Sequence, residues 1–219
     1  MSAERTAVGK GTRRQTPVVP LEAGAGPENP PCPACGEPLF GWIDLRPGLA
    51  GPVSRCESCG LGVVGESAGL EAALAGLDRG REGGRIAIDN RGGFAAWIGG
   101  AGWAGLDPDG RFLYTAESAR RLVAHRDQVV KRAHWAPKRG FVAMWQTVLN
   151  GFTFGRNVAS GALGRPEAAV PAEQAWQRRM DAGISVVVAL PALLMAVPLE
   201  MIAAASRRGG ALTLELELL

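Results

Sequence analysis

Two Cys-x-x-Cys pairs constrain the fold of this chain more than any other feature. The pairs are Cys32–Cys35 and Cys56–Cys59; they contain all four cysteines, and 20 residues separate them. Each pair can direct two thiolates at one centre, and four thiolates complete the tetrahedral coordination that Zn²⁺ prefers. The spacing therefore predicts a zinc ribbon with Cys32, Cys35, Cys56 and Cys59 as ligands. Two disulfides, or four free thiols, are the alternatives.

A glycine follows each pair, at Gly36 and Gly60. A tight turn that aims its amides at the sulfurs often needs a residue that tolerates positive φ, so the glycines favour the same interpretation. A site closed by four thiolates has no open coordination position. We therefore expect the metal to stabilise a small fold, and we expect no catalysis there.

The composition indicates a folded protein in a reducing compartment. The 219 residues have room for one ordinary domain and a small one, and the hydrophobic content of 47% is enough for a buried core. The net charge of +3 is too small to imply a polyanionic partner. The N-terminus lacks the apolar run of a secretory signal. We predict a cytoplasmic protein with a disordered tail at 1–30, the zinc ribbon at 31–65 and a C-terminal part at 66–219.

Hydrophobic spacing in the C-terminal part predicts several elements. Leucines at i, i+4 and i+7 indicate a helix over 70–77, and Thr115 with Ser118 can cap a helix over 116–124. Apolar positions spaced by three or four from Val142 to Phe152 predict a helix with a buried face. Strands are predicted over 85–89, 127–134 and 212–218, the last with alternating leucines.

The most apolar stretch, 182–205, contains one acidic residue, Glu200, and two prolines, Pro191 and Pro198. Its uncharged part, 182–199, is 18 residues long, which is at the lower limit for a transmembrane helix. The prolines favour a helical hairpin that bends at them, either buried or on a membrane surface. We predict an inserted hydrophobic hairpin, with membrane association through 182–205 and a single span as the alternative.

Residues 111–139 carry eight Lys or Arg against Glu117 and Asp127. Such a basic stretch beside a zinc ribbon suits a phosphate backbone, which makes nucleic-acid binding an alternative function. A solvated helix face explains the same charges, and the balanced charge of the remaining chain favours it. We interpret His125 and His134 as solvated or packed side chains.

The order of several motifs resembles class I S-adenosylmethionine-dependent methyltransferases of the type 11/12/23 group, many of which carry a four-cysteine ribbon before the catalytic domain. The motifs are GGRIAIDN at 83–90, WAGLDP at 103–108, YTAE at 114–117 and WQTVLN at 145–150. By this resemblance, the strands at 83–89, 127–134 and 211–218 look like the fifth, sixth and seventh strands of that family. The seventh then lies antiparallel between the other two.

The resemblance lacks the half of the family that binds the cofactor. Only about two dozen residues separate Cys59 from the fifth strand, whereas each strand and helix pair needs roughly 30. The Gly-rich loop and the acidic residue that hold S-adenosylmethionine therefore have no counterpart. Residues 109–111 read Asp-Gly-Arg where the family has Pro-Arg-His, so no catalytic role transfers. We expect the exposed edge of the fifth strand to pair with the ribbon, a second copy or another protein.

We therefore predict an α+β fold: a zinc ribbon, then a truncated Rossmann-like methyltransferase remnant of about three strands with the inserted hairpin. We predict a noncatalytic interaction or scaffold protein with structural zinc, no catalytic or cofactor-binding residue and no S-adenosylmethionine. Its partners are a second copy, an intact methyltransferase or a membrane surface, and no nucleic acid. The alternatives are a methyltransferase completed by a partner chain and a zinc-ribbon protein that binds nucleic acid.

Overall fold

A computed structural model of the chain describes residues 29–43, 52–65, 69–106, 111–163, 169 and 171–219. The tail predicted for 1–30 lies outside the described residues, except for its last two. The described chain is a mixed α+β structure with two antiparallel sheets and one long apolar helix. The α+β part of the fold prediction is therefore confirmed.

Eight strands are described: β1 Leu39–Ile43, β2 Val53–Cys56, β3 Gly62–Val64, β4 Arg81–Glu82, β5 Arg85–Asp89, β6 Phe112–Leu113, β7 Gln128–Trp135 and β8 Ala211–Leu218. Six α-helices are described: α1 Leu70–Asp78, α2 Phe94–Gly99, α3 Ala116–Ala124, α4 Pro137–Asn150, α5 Val158–Ala162 and α6 Ala175–Ala205. A turn of 3₁₀ helix follows α2 at Gly100–Gly102.

The ribbon sheet has the order β1-β2-β3-β6, with every neighbouring pair antiparallel. Its last strand, β6, comes from the C-terminal part of the chain. Leu39 and Leu61 of the ribbon lie in one buried cluster with Leu74 of α1 and Leu122 of α3. The ribbon therefore shares its core with the rest of the protein, while the domain boundary placed at residue 65 stays a prediction.

The central sheet has the order β4-β5-β8-β7. β8 lies between β5 and β7 and is antiparallel to both, which is the order expected from the resemblance for these three strands. Its alternating leucines explain the position: Leu212, Leu214 and Leu216 pack against the same core, and Glu215 and Glu217 form ion pairs with neighbouring strands. The Rossmann-like part of the prediction is not shown, because both sheets are antiparallel.

The outer edge of β5 is covered by the chain itself, which corrects the expectation that it pairs with the ribbon or another chain. β4 pairs with β5 antiparallel, with Glu82 opposite Arg85 and Arg81 opposite Ile86. The amide of Ala87 also donates to the carbonyl of Gly80 over 2.8 Å. The two-residue turn between these strands contains Gly83 at φ +60°. A short hairpin thus protects the edge from other strands.

Helices α1 and α3 pack on β5 and β7, as their sequence patterns predict. Leu74 and Leu77 of α1 are buried, and Leu70 is partly buried against the same cluster. α3 begins with a capping box: Ser118 N donates to Thr115 Oγ1 over 3.0 Å, and Thr115 N donates to Ser118 Oγ over 2.9 Å. This box satisfies two amides that a helix start leaves without partners.

The hydrophobic segment forms one continuous helix, α6, and not the predicted hairpin. Pro191 and Pro198 both lie inside it and are exposed. The helix packs against α4, and both of its halves are held by hydrogen bonds to other segments: Asp181 accepts from the amide of Phe154, and Glu200 accepts from that of Gly210. These contacts outweigh the local tendency of proline to end a helix.

The buried face of α4 differs from the predicted one. Leu149 is buried and Trp145 is partly buried, but Val142 and Phe152 are exposed. Polar side chains take part of the buried face, chiefly Gln146 and Thr147. Apolar spacing alone could not identify this face, because these side chains are buried with hydrogen-bond partners from other segments.

Candidate metal centre

The two cysteine pairs lie in two turns that flank the first hairpin of the ribbon sheet. Cys32 and Cys35 precede β1, while Cys56 ends β2 and Cys59 lies in the turn that leads to β3. Leu39 pairs with Cys56 in the sheet, so the β1–β2 register brings the turns together. All four Sγ atoms lie within 4.8 Å of one another.

Each turn has the geometry expected from its glycine. Gly36 has φ +79° and Gly60 has φ +74°. The amide of Gly36 donates to the carbonyl of Cys32 over 2.8 Å, and that of Gly60 donates to Cys56 over 3.0 Å. Because an L side chain is strained at such a φ, the glycines allow both turns to close around the sulfurs.

The sulfur distances fit one tetrahedral ion. Cys32 Sγ lies 3.6 Å from Cys59 Sγ, and Cys35 Sγ lies 3.4 Å from Cys56 Sγ. Zn–S bonds of about 2.3 Å at tetrahedral angles place sulfurs about 3.8 Å apart, whereas a disulfide needs about 2.05 Å. All four cysteines are free. Four close cysteines could therefore hold a metal ion such as zinc.

Hydrogen bonds within the cluster separate the pKa values of the thiols. The contact with Cys59 lowers the pKa of Cys32 to about 5, against the opposing effect of burial, and the amides of Ala34 and Cys35 lower it further. The same contact and burial raise the pKa of Cys59, and burial raises that of Cys35. A bound divalent cation stabilises thiolates, so it would favour deprotonation of all four.

The cysteine cluster is largely shielded from solvent. Cys32, Cys56 and Cys59 are each no more than 2% exposed, and Cys35 is partly buried. The donor set is all sulfur, which suits zinc and other soft metal ions and leaves a four-coordinate ion no place for a substrate. A metal ion bound by these four sulfurs would therefore link the two turns.

Residues outside the ribbon support the second turn. Thr115 Oγ1 donates to the carbonyl of Cys59 over 2.7 Å, and Arg91 Nη1 donates to that of Gly60 over 3.0 Å. The Arg91 guanidinium also lies 3.8 Å from the ring centroid of Trp42. Burial, and then the nearby Arg55, lower the pKa of Arg91 to about 10. The sequence identified Thr115 only as a helix cap and gave no signal for Arg91.

The two histidines lie away from the cysteine cluster. His125 is the exposed C-cap residue of α3. His134 lies on β7, with its Nε2 3.5 Å from Glu215 Oε2. Among the described residues, the only group of His, Cys, Asp and Glu found close enough to hold a metal ion is the four cysteines.

The basic stretch does not form one continuous basic face. Its residues are divided among α3, β7, α4 and the segments before β6 and after α3. Five of the eight basic side chains form ion pairs with carboxylates: Arg120, Arg121, Arg126, Lys131 and Arg139. The carboxylates come from α1, α3, β5 and β8. Paired charges of this kind favour the interpretation as solvated, locally balanced surfaces.

A buried polar network connects α4 to the loop that follows α2. Asn150 Nδ2 donates to the carbonyl of Gly102, and Thr147 Oγ1 accepts from the amide of Ala104. Gln146 Oε1 accepts from the amide and hydroxyl of Ser160, both over 2.8 Å. The adjoining cavity measures about 30 Å³, which suits a water molecule. These side chains therefore hold the loop against α4.

No family model, curated protein or solved structure matches this chain.

Proposed function

We propose that this chain is a noncatalytic interaction protein in which zinc, held by Cys32, Cys35, Cys56 and Cys59, fixes the ribbon to an α+β body. One observation carries the proposal: α6 turns its two carboxylates inward and an apolar face outward. Asp181 is 1% exposed and Glu200 is fully buried, whereas Val187 is 75% exposed. An apolar helix face of this size on a soluble body marks an interaction surface.

The cysteine site supports a structural role for the metal. Its four sulfurs fill a tetrahedral coordination shell, and its surroundings are the ribbon core. The free cysteines agree with the reducing, cytoplasmic location that we propose. The ion then links the two cysteine turns, and Thr115 at the start of α3 donates a hydrogen bond to the second of them.

The methyltransferase resemblance enters the proposal as the origin of the central sheet. The order β5-β8-β7 is the order expected for the last three strands of that family. The segment from Cys59 to β5 contains β3, α1 and β4, which leaves no room for four strands and a cofactor loop. We therefore propose a methyltransferase-like protein that does not bind S-adenosylmethionine and acts as a partner of other proteins or of a membrane.

Two measurements test this function. Calorimetry with S-adenosylmethionine should show no binding, and micromolar binding by the isolated chain would contradict the noncatalytic assignment. Fractionation of cells that express the full chain should find wild-type protein in an assembled or membrane-bound state. The double variant Val187→Glu and Leu194→Glu should shift to the free monomer, because both side chains are exposed on α6. A wild-type chain that is free and monomeric would overturn the interaction function.

A further inference from the structure

The outward face of α6 is a continuous apolar stripe. Neighbouring members lie three, four or seven residues apart, so they share one side of the helix. They are all exposed: Trp176, Met180, Val187, Leu190, Leu194 and Met201. The positions beside this stripe are also apolar and exposed, including Val186, Leu193 and Ile202. Since no charged position flanks the stripe between 182 and 199, it lacks the charge pattern that specifies a coiled-coil partner.

The inward face fixes α6 to the body at both ends and in the middle. Asp181 accepts from the amides of Phe154 and Gly155 over 2.7 and 2.8 Å. The carbonyl of Ala189 accepts from Trp145 Nε1 over 2.9 Å. Glu200 Oε1 accepts from Trp135 Nε1 over 2.8 Å. The two carboxylates are 19 residues apart, or about 28 Å along a helix. The body therefore lies alongside α6 over most of its length.

This attachment limits the orientation in which α6 can bind a lipid bilayer. The helix is long and apolar enough to cross a membrane by length and composition. If it crossed the bilayer while packed in this way, it would bring α4 and the polar network around Asn150 into hydrocarbon. Placing polar groups and charged surfaces in hydrocarbon costs free energy. If α6 lies flat, only its apolar stripe enters the membrane.

The charged residues around α6 indicate what kind of lipid surface it can bind. From residue 174 to residue 214 the exposed charged side chains are all arginines: Arg178, Arg179, Arg207 and Arg208. The only acidic residues in that interval are the buried Asp181 and Glu200. Arginines at both ends of a flat helix can contact anionic headgroups. In a parallel or an antiparallel pair of α6 helices, arginine pairs would face arginine pairs, which disfavours a second copy as the occupant.

The prolines agree with a position at the interface. A proline inside a helix lacks the amide that would bond to the carbonyl four residues earlier. Pro191 therefore frees the carbonyl of Val187, and Pro198 frees that of Leu194, both on the outward stripe. Free carbonyls are costly in hydrocarbon but can be hydrated among headgroups.

We propose that α6 is an in-plane anchor that docks this chain on an anionic lipid surface. The proposal rests on the interaction function above and names the partner of its apolar face. The stripe from Trp176 to Met201 lies in the headgroup and acyl boundary. Arg179, Arg207 and Arg208 contact lipid phosphates, whereas Arg178 donates to the carbonyls of Ala172 and Glu173. The ribbon and central sheet stay in water.

Vesicle flotation with the full, zinc-loaded chain tests the proposal. Wild-type protein should float with vesicles of phosphatidylcholine mixed with phosphatidylglycerol, and less with phosphatidylcholine alone. The variant Val187→Glu with Leu194→Glu should bind at least about tenfold more weakly, because it puts two charges in the apolar boundary. The matched control is Leu218→Glu with Leu219→Glu, which changes two equally exposed residues at the end of β8 and should float like the wild type.

Two further measurements test the contribution of the arginines and the orientation of α6 separately. Arg179→Gln with Arg207→Gln should weaken binding to the anionic vesicles by about fivefold per arginine and reduce its salt dependence. Bound wild-type protein should pass from donor to acceptor vesicles, since an in-plane helix binds reversibly and a spanning helix does not. Bound protein that never transfers would overturn the in-plane anchor.

The outcomes distinguish this inference from the proposed function. Concentration-dependent dimers that the double glutamate variant abolishes, without vesicle binding, would overturn the lipid anchor and leave the interaction function intact. A wild-type chain that does not float would overturn the lipid anchor, and the interaction function would fall with it only if the chain were also free and monomeric in fractionated cells. Floating that the glutamate variant and the control lose equally would also overturn the inference. Circular dichroism and zinc content confirm that each variant is folded.

Discussion

Trp135 Nε1 donates a 2.8 Å hydrogen bond to Oε1 of Glu200, a fully buried carboxylate on the most apolar helix of the chain. The same oxygen accepts from the amide of Gly210 over 2.9 Å. One side chain of α6 thus joins the end of β7 to the residue that precedes β8. The backbone of α4 also comes close, because a Cβ at Gly140 would overlap Glu200 Oε1.

Replacing Gly140 by alanine should destabilise the protein even though it lies inside a helix. Helix propensity alone would add about 1 kcal/mol of stability. The new Cβ, however, would overlap Glu200 Oε1 and lie 2.8 Å from Trp135 Nε1. We expect a net loss of about 2 kcal/mol in the free energy of unfolding, measured with urea.

Gly183→Ala is the matched control for that change. Gly183 lies inside α6, and no atom lies within 4 Å of a Cβ built there. This substitution should stabilise the protein by about 0.5–1 kcal/mol. Equal stabilities of the two variants would show that Gly140 is not closed in by Glu200.

Glu200 itself should contribute through the hydrogen bonds it accepts. Glu200→Ala leaves Trp135 Nε1 and the Gly210 amide without their acceptor and should cost about 3 kcal/mol. Glu200→Gln keeps a carbonyl oxygen and should cost about 1 kcal/mol. Glu217→Ala removes an exposed partner of Lys131 and should change stability by less than about 0.5 kcal/mol. A loss from Glu200→Ala as small as that of Glu217→Ala would contradict this role.

The full chain purified under reducing conditions should contain about one zinc ion, and chelation should unfold the ribbon. Cys56→Ser should lower both the zinc content and the thermal midpoint, because the ribbon shares its core with α1 and α3. Ser58→Ala, in the same turn, should retain the metal, since Ser58 is exposed and is not a ligand. Mass spectrometry of bound metal decides the matter: less than about half an ion per chain would contradict the four-thiolate site.

The sequence predicted the parts of this fold that depend on local patterns. The spacing of the cysteines predicted that their four sulfurs lie together, the alternating leucines predicted β8, and the Thr115–Ser118 pair predicted the start of α3. The pair Gly83–Gly84 was also a usable signal, because two glycines between short extended segments favour a hairpin. As a break after the helix over 70–77, or as the start of the fifth strand in the resemblance, these glycines do not predict β4 and the covered edge of β5.

The remaining features depend on contacts between distant segments. The continuity of α6 through Pro191 depends on hydrogen bonds to distant segments. Asp181 accepts from Gly155, 26 residues earlier, and Glu200 accepts from Trp135, 65 residues earlier. Local rules describe proline as a helix breaker and contain no information about those partners. The support of Cys59 by Thr115, 56 residues later, is another contact of this kind. The cysteines could thus be predicted as a site, but the residues that hold their turn could not.

Thr115 should couple the stability of α3 to retention of the metal. Its hydroxyl accepts from the amide of Ser118 and donates to the carbonyl of Cys59. Thr115→Val keeps the shape and loses both hydrogen bonds, so it should cost about 2 kcal/mol and speed zinc release to a chelator. Thr115→Ser keeps the hydroxyl and should release zinc at the wild-type rate. Equal release rates from both variants would show that the hydroxyl does not support the turn.

Tyr114 should make stability fall at alkaline pH. Its hydroxyl donates to the carbonyl of Ala73 over 2.8 Å, and burial raises its pKa above the ordinary value of about 10. A raised pKa means that the folded state favours the neutral phenol. The resulting stability is complete below pH about 10 and is lost as the pH rises towards the folded pKa.

Tyr114 is the only tyrosine in the chain, so absorption by tyrosinate reports its ionisation directly. The absorption of tyrosinate should rise only at pH values well above 10, and it should rise together with the loss of tertiary structure. Tyr114→Phe should be about 1 kcal/mol less stable near neutral pH, because it lacks the hydrogen bond to Ala73. It should also lose less stability between neutral and alkaline pH than the wild type. A folded wild-type chain whose tyrosine titrates near the ordinary value would show that the phenol is accessible to water, and the packing of Tyr114 against α1 would then be wrong.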